Sequence, residues 1–316
     1  MASLRPHNLV LLDASEQALH RLSSTFATDV PDLTPHLVLG SVNDSAQLDE
    51  ICAMHRPSLI FHAAAYKHVS LLEENPLAAI ANNAIGTDSL AACAHGHGVS
   101  RIVLLSTDKA VAPASILGAS KRIAEEIILA HKSIVVRLCN VLGTDGSVVE
   151  TFQKQIRVGV PITISDREAE RFFLTCDEAV DLLIASAITS QPASLLIPQL
   201  ERAHSIVGLA EFLIETMSPM KTMPLNFTGL RPGEKLHEAL WSADEAPAPS
   251  EVSGCLQLAR KRGDSSQLDD AIDCLKSAVQ ERDLLLSIRC VQRLVPDYTP
   301  SPTLMAQVQS LSAGAA

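Results

Sequence analysis

The chain has 316 residues, of which 47% are hydrophobic and only 3% aromatic, and its formal net charge is −11. That length and apolar content support a large aliphatic core in one or two domains, and the acidic balance argues against a broad nucleic-acid-binding face. Seven cysteines are dispersed without metal-ligand spacing, the first residues carry no apolar signal region, and no run of about eighteen apolar residues occurs. The expectation is a reduced, cytoplasmic protein with no membrane segment and no nucleic-acid partner.

In chain order, residues 8–13 read as a buried strand, and a helix follows from Ser15 as N-cap to about residue 24. Further strands fall at 36–39, 58–62, 102–105 and 133–138, and helices at 76–94 and 115–131. Strands alternating with helices in this way predict an α/β fold built on a doubly wound, Rossmann-like parallel sheet. After residue 143 the texture changes. Short strands at 162–164, 172–175, 195–197 and 225–227 interleave with helices at 178–189 and 206–217. The prediction is an incomplete dinucleotide-binding domain over 1–143 and a smaller substrate-binding lobe over 144–316, with some exchange of strands and helices between them. Pro247 and Pro249 predict a loop over 244–253. Residues 267–292 read as one amphipathic helix, and the small-residue tail from Gln309 as a frayed end.

Four groups of residues carry chemistry. Ser106-Thr107-Asp108-Lys109 closes an apolar strand, and Gly118-Ala119-Ser120-Lys121 follows in the next helix. An acid, a hydroxyl and two lysines thus gather at the carboxyl end of a strand, the edge at which open α/β sheets bind ligands. His62-Ala63-Ala64-Ala65-Tyr66-Lys67 follows another strand, and its small residues would let a flat ligand approach the backbone. Asn83-x-x-Gly86-Thr87 lies in the helix after that. The run Phe227-Thr-Gly-Leu-Arg231-Pro-Gly-Glu234-Lys235 offers a planar, bidentate guanidinium suited to a diphosphate.

These stretches together resemble the extended short-chain dehydrogenase/reductases. More closely, they resemble the catalytic domain of the UDP-N-acetylglucosamine 4,6-dehydratases of capsule biosynthesis and flagellin glycosylation. Val10-Leu-Leu-Asp13, Glu73-Glu-Asn-Pro76, Val136-Arg-Leu-Cys-Asn-Val-Leu-Gly143 and Arg171-Phe-Phe-Leu-Thr175 carry the resemblance as well, which spans roughly residues 8–240 in order. It implies an NAD or NADP cofactor, a UDP-sugar substrate and a 4-keto-6-deoxy sugar product. By position, Asp108 would protonate the departing C6 hydroxyl, Lys109 would remove H5, Thr107 would hold the sugar O4, and Lys121 would bind the nicotinamide ribose. Lys109 as a base requires a depressed pKa. Asp13, Val42, Asp44, Ala63, Ala64, Ala65, Lys67 and Asn83 would line the cofactor. Asn140, Arg171, Arg231 and Glu234 would hold the UDP portion.

The sequence also departs from that pattern. The family places a strand, a Gly-rich turn and a helix ahead of the stretch that begins at Val10, where this sequence has nine residues. The expectation is a missing pyrophosphate cradle, unpaired neighbouring strands and exposed apolar surface. The superfamily's active-site tyrosine position holds Leu117, the Gly-Asp pattern at the adenine reads Gly40-Ser41, and a usual glycine is Cys139. Three alternatives to an active dehydratase follow: a weak or inactive sugar-nucleotide-binding homologue, a 4-epimerase, and a dimer partner of a full-length homologue. A dimer would pair through helices 76–94 and 115–131.

Overall fold

The computed structural model describes residues 4, 6–144, 146–189, 191–218, 223–260 and 265–314. The chain opens with β1 (Val10–Asp13), α1 (Glu16–Asp29), β2 (His36–Leu39), α2 (Ser45–His55) and β3 (Leu59–His62). Ser15 caps α1 by accepting from the Ala18 amide, as its position predicts. The predicted helix over 76–94 is segmented. After α3 (Val69–Glu74), it comprises α4 (Pro76–Ile80), a π turn over Ala81–Ile85, and α5 (Gly86–Gly96). The π turn carries Asn83, whose amide holds both backbone groups of Tyr66. Such an insertion re-aims one side chain within an otherwise regular helix.

Next come β4 (Arg101–Thr107), a 3₁₀ turn (Asp108–Ala110), α6 (Ile116–Ala130) and β5 (Ile134–Leu138). The second half holds β6 (Asn140–Val141), α7 (Val148–Val158), β7 (Ile162–Ile164), β8 (Glu170–Arg171), β9 (Phe173–Leu174), α8 (Cys176–Ser186), β10 (Leu195–Pro198), β11 (His204–Ser205), α9 (Ile206–Met217) and β12 (Leu225–Phe227). It ends with β13 (Glu245–Pro249), β14 (Cys255–Arg260), α10 (Ser265–Gln280), α11 (Leu284–Leu294) and α12 (Pro302–Gly314).

Among the described residues, a six-stranded sheet runs in the order β13-β14-β10-β5-β4-β3, parallel from β10 to β3 and antiparallel at β13-β14. β1 and β2 pair only with each other, in a separate parallel ribbon. Among the described residues no backbone pairing joins β1 to β3. The consequence is visible in burial. All five residues of β5 are buried, whereas Val10, Leu11, Leu12, Leu59, Ile60 and Phe61 are only half-buried.

Three expectations are corrected. The predicted loop over 244–253 contains the edge strand β13. An edge tolerates proline because an outward-facing N–H has no ladder partner to lose, and Pro247 and Pro249 lie two apart, on the same side of the strand. The predicted helix 267–292 is two helices, split where Arg282 turns left-handed (φ 57°) and Asp283 caps α11. The tail past Gln309 continues as α12 to Gly314.

The C-terminal helices pack on the face formed by α3 to α6. Ile272, Leu275, Ile288, Val291 and Leu304 share one core with Ile80, Ala84, Ala119 and Ile123. All of α6 is buried except Glu126 and Ala130. Pairing of two copies through α6, expected from the sequence, meets a helix already covered by α11 of the same chain. Glu73, 1% exposed, ties this layer together. Its Oε1 accepts from the Ile116 amide at 2.7 Å, its Oε2 from Ser301 Oγ at 2.5 Å, and its carbonyl from Gln307 Nε2 at 3.2 Å.

Beneath the parallel strands lies a charged cluster. Arg137 of β5 is fully buried and bonds both Glu125 of α6 and Glu245 of β13 at 2.8 Å, while Arg122 and Arg260 close on the same carboxylates. Burial disfavours the Glu125 carboxylate, but the arginines outweigh it and hold the pKa down at about 2.

Candidate active site

β4 alternates its last side chains between two layers. Ser106 points into the charged cluster and donates to Glu125 Oε1 at 2.7 Å. Thr107, one residue on, faces the carboxyl edge of the sheet. Its Oγ1 donates to Asp108 Oδ1 at 2.9 Å and accepts from the Lys109 amide at 3.3 Å, closing the 3₁₀ turn. Lys109 Nζ lies 2.9 Å from Asp108 Oδ1 and donates to Asn140 Oδ1 at 3.2 Å. Glu238 stands 3.8 Å from the same ammonium and 3.2 Å from Lys235 Nζ. Thr107, Asp108 and Lys109 therefore meet at the strand end, and Asn140, which the resemblance assigns to the UDP portion, joins them through Lys109.

Asp108 is fully buried, and among the described residues its Oδ2 has no hydrogen-bond partner. A buried carboxylate oxygen without a donor is costly, and it is the natural acceptor for a ligand hydroxyl. Gly118 permits this geometry: a Cβ there would sit 2.2 Å from the Lys109 carbonyl, so any side chain would push the turn away from α6.

The expectation of a depressed Lys109 is overturned. Burial does lower it, but the Asp108 and Glu238 charges exceed that effect and hold the ammonium above its usual range. The depressed lysine is Lys121 instead. It is 3% exposed, donates to the Leu105 carbonyl at 2.7 Å, and burial brings it down to about 8, against a smaller opposing pull from Glu125. Beside it, burial and the Lys121 charge bring His62 to about 3, so His62 is neutral. Thr87 Oγ1 gives its proton to the Asn83 carbonyl, so His62 Nε2, 2.8 Å away, is assigned as a donor to that hydroxyl. Burial and the Asp108 charge push the Cys139 thiol up to about 12, which leaves it unreactive.

The remaining expected residues are more dispersed. Arg171 clamps backbone: its guanidinium donates to the Glu170, Lys235 and Leu236 carbonyls at 2.7–2.8 Å. It thereby fixes the segment that carries Lys235 and Glu238 against β8. Arg231 is exposed, and Glu234 Oε2 accepts from its amide at 3.1 Å. Gly233 (φ 77°) turns this loop against Ser115 and Glu73, and Lys235 Nζ donates to the Val111 carbonyl at 2.6 Å. Glu238 escaped the sequence reading, while His62 and Lys235 fell within chemistry-bearing runs without an assigned role. The three-residue spacing of Lys235 and Glu238 was the available signal.

On the cofactor side, Asp13, Gly40, Asp44 and Ala63 all lie at or just beyond carboxyl ends of β1, β2 and β3. Ala63, Ala64 and Lys67 are exposed, Ala65 is half-buried, and Asp13 accepts from the Ser15 amide at 2.7 Å. Val42 is buried against Gly86, and Asp44 caps α2 through the Gln47 amide at 3.0 Å. Ser15 and Asp44 cap α1 and α2 through the Ala18 and Gln47 amides, and no glycine-rich strand-to-helix turn occurs among the described residues.

Comparison with known proteins places this arrangement. Residues 1–259 match the family described as polysaccharide biosynthesis protein. The chain belongs to that family. It is 35% identical over 259 residues to the probable polysaccharide biosynthesis protein EpsC of Bacillus subtilis, covering 78% of this chain and 43% of EpsC. It thus spans less than half of that relative. It is 28% identical over 256 residues to the UDP-N-acetylglucosamine 4,6-dehydratase (inverting) of Campylobacter jejuni, covering 78% of this chain and 73% of that enzyme. Among solved structures, Pen from Bacillus thuringiensis superposes with a TM-score of 0.73 at 26% identity, covering 81% of this chain and 82% of Pen. The fold is that of the extended short-chain dehydrogenase/reductases. Among the described residues, no helix is long and apolar enough to cross a membrane.

Proposed function

We propose that this chain carries the elimination machinery of a nucleotide-sugar 4,6-dehydratase that acts on UDP-N-acetylglucosamine or a close relative in surface polysaccharide or glycan synthesis. The observation that supports this reading is the buried Asp108–Lys109 contact with its free carboxylate oxygen. A 4-epimerase needs no acid and base for loss of water across C5–C6, so the pair favours the dehydratase.

The pair is an ammonium and a carboxylate at 2.9 Å. Transfer of one proton from Lys109 Nζ to Asp108 yields a neutral amine and a neutral carboxylic acid with no change in net charge. The amine then takes H5 of a 4-keto sugar, and the acid donates its proton to the departing C6 hydroxyl, so water leaves and the original ion pair is restored. Thr107 and Asn140 orient the two groups through the contacts they already make. A nicotinamide cofactor, NAD or NADP, supplies when bound the hydride acceptor that makes C4 a ketone. The lobe beginning at residue 144 contributes Arg171, Arg231, Glu234, Lys235 and Glu238, and we assign it to the UDP-sugar.

The test is incubation of the purified chain with UDP-N-acetylglucosamine and NAD, followed by detection of a 4-keto-6-deoxy product. Asp108→Asn, which keeps the shape and removes the acid, is expected to lower turnover about 10²- to 10⁴-fold. Asn at 108 with undiminished activity would remove the assignment.

A second reading is supported by Leu117, buried and without a transferable proton where the superfamily has its active-site tyrosine: a sugar-nucleotide-binding homologue with little turnover. It predicts measurable UDP binding by calorimetry, no product, and no nicotinamide released on denaturation.

A further inference from the structure

The β1–α1–β2–α2 unit has no backbone pairing to the six-stranded sheet among the described residues, so its attachment depends on side chains. α2 packs against α5, and one seam between these helices holds an unusual set of groups. Asp49 of α2 and Cys93 and His97 at the end of α5 place one ligand atom each within 4.8 Å of one another. His97 Nε2 and Asp49 Oδ1 are 2.7 Å apart. Cys52, one turn on from Asp49 and 2% exposed, lies beside Cys93 but outside that group of three. The spacings Asp49-x-x-Cys52 and Cys93-x-x-x-His97 put each pair on one helix face.

We propose that this seam is a zinc site, with Asp49, Cys93 and His97 as ligands and Cys52 as the fourth donor. Two sulfurs, one imidazole and one carboxylate make a donor set that favours zinc over magnesium or calcium. Tetrahedral zinc with bonds of about 2.0 to 2.3 Å holds its ligand atoms roughly 3.3 to 3.8 Å apart. The three-residue group needs only small rotamer changes to reach that spacing: His97 and Asp49 open by about half an ångström, and Cys93 closes. His97 is 26% and Asp49 69% exposed, so a metal ion enters from solvent, while buried Cys52 closes the inner side. Thiolate ligation releases protons, so binding tightens as pH rises. The sequence concealed the site because Cys52 and Cys93 are far apart in the chain and only the helix packing joins them.

The ion would clip the β1–β2 unit to α5 with two donors from each helix. The experiment titrates the reduced full chain with cobalt(II). A thiolate-to-cobalt charge-transfer band in the near ultraviolet, tetrahedral bands in the visible, and displacement by one equivalent of zinc are expected. Cys93→Ser should abolish the near-ultraviolet band, and Cys52→Ser should reduce it by about half. His97→Ala, a partly exposed change that leaves the fold intact, should weaken zinc binding at least tenfold. Zinc should raise the melting temperature of the parent and not of Cys93→Ser. A double Cys274→Ser, Cys290→Ser variant serves as control and should bind as the parent does. Absence of the cobalt bands in the parent, or their persistence at full strength in both Cys93→Ser and His97→Ala, overturns the proposal, as does their loss in the Cys274/Cys290 control.

Discussion

β4 and β1 are written in nearly the same alphabet and have different environments. β4 reads Arg-Ile-Val-Leu-Leu-Ser-Thr, and its Ile102, Val103 and Leu104 are at most 3% exposed. β1 reads Val-Leu-Leu-Asp, and its three aliphatic residues stay half-buried. The difference lies in neighbours: β4 has β3 on one side and β5 on the other, while β1 has β2 alone. An apolar strand is buried only when both its edges and both its faces are covered. The residues proposed for elimination hang from the well-covered strand. The positions expected to line a cofactor hang from the poorly covered ones.

The largest test of this contrast lies beneath β5. Arg137→Met leaves Glu125 and Glu245 buried with reduced compensation, and a loss of about 3 to 5 kcal/mol is expected in urea unfolding. Next come matched truncations. Leu104→Ala should cost about 2 to 5 kcal/mol, and Leu11→Ala about 1 kcal/mol or less, because β1 has less burial to lose. Equal costs would break the comparison. The smallest effect is a pH slope. The Lys121 ammonium is disfavoured in the fold, so between about 8 and the ordinary 10.5 the unfolded chain binds more protons and stability rises with pH. Below about 8 the penalty is fully present. Lys121→Met should flatten that rise, as followed by thermal melts across the range.

The parallel sheet was legible because apolar runs alternate with helical stretches, and the site at Thr107, Asp108 and Lys109 because three polar residues follow such a run directly. What could not be seen depends on distance in the chain. Glu238 reaches Lys109 only because Arg171 pins the intervening backbone. The raised Lys109 follows from Asp108 together with that unseen carboxylate, so a rule tuned to lysine bases pointed to the wrong lysine. β13 was hidden by prolines that forbid a central strand and permit an edge one. The split between α10 and α11 had a visible signal in Asp283, an N-cap residue inside an apparently continuous amphipathic pattern.

Glu73 bears on the order of assembly. Ile116 follows it by 43 residues, but Ser301 and Gln307 leave the ribosome more than two hundred residues after it. The α6 start, which abuts the Lys109 turn, therefore gains its final restraint only when the last helix docks. Long-range closures of this kind are slow, so the Asp108–Lys109 turn is among the late features to settle, and a nascent chain stalled before residue 301 holds Asp108 and Lys109 on an unfinished scaffold.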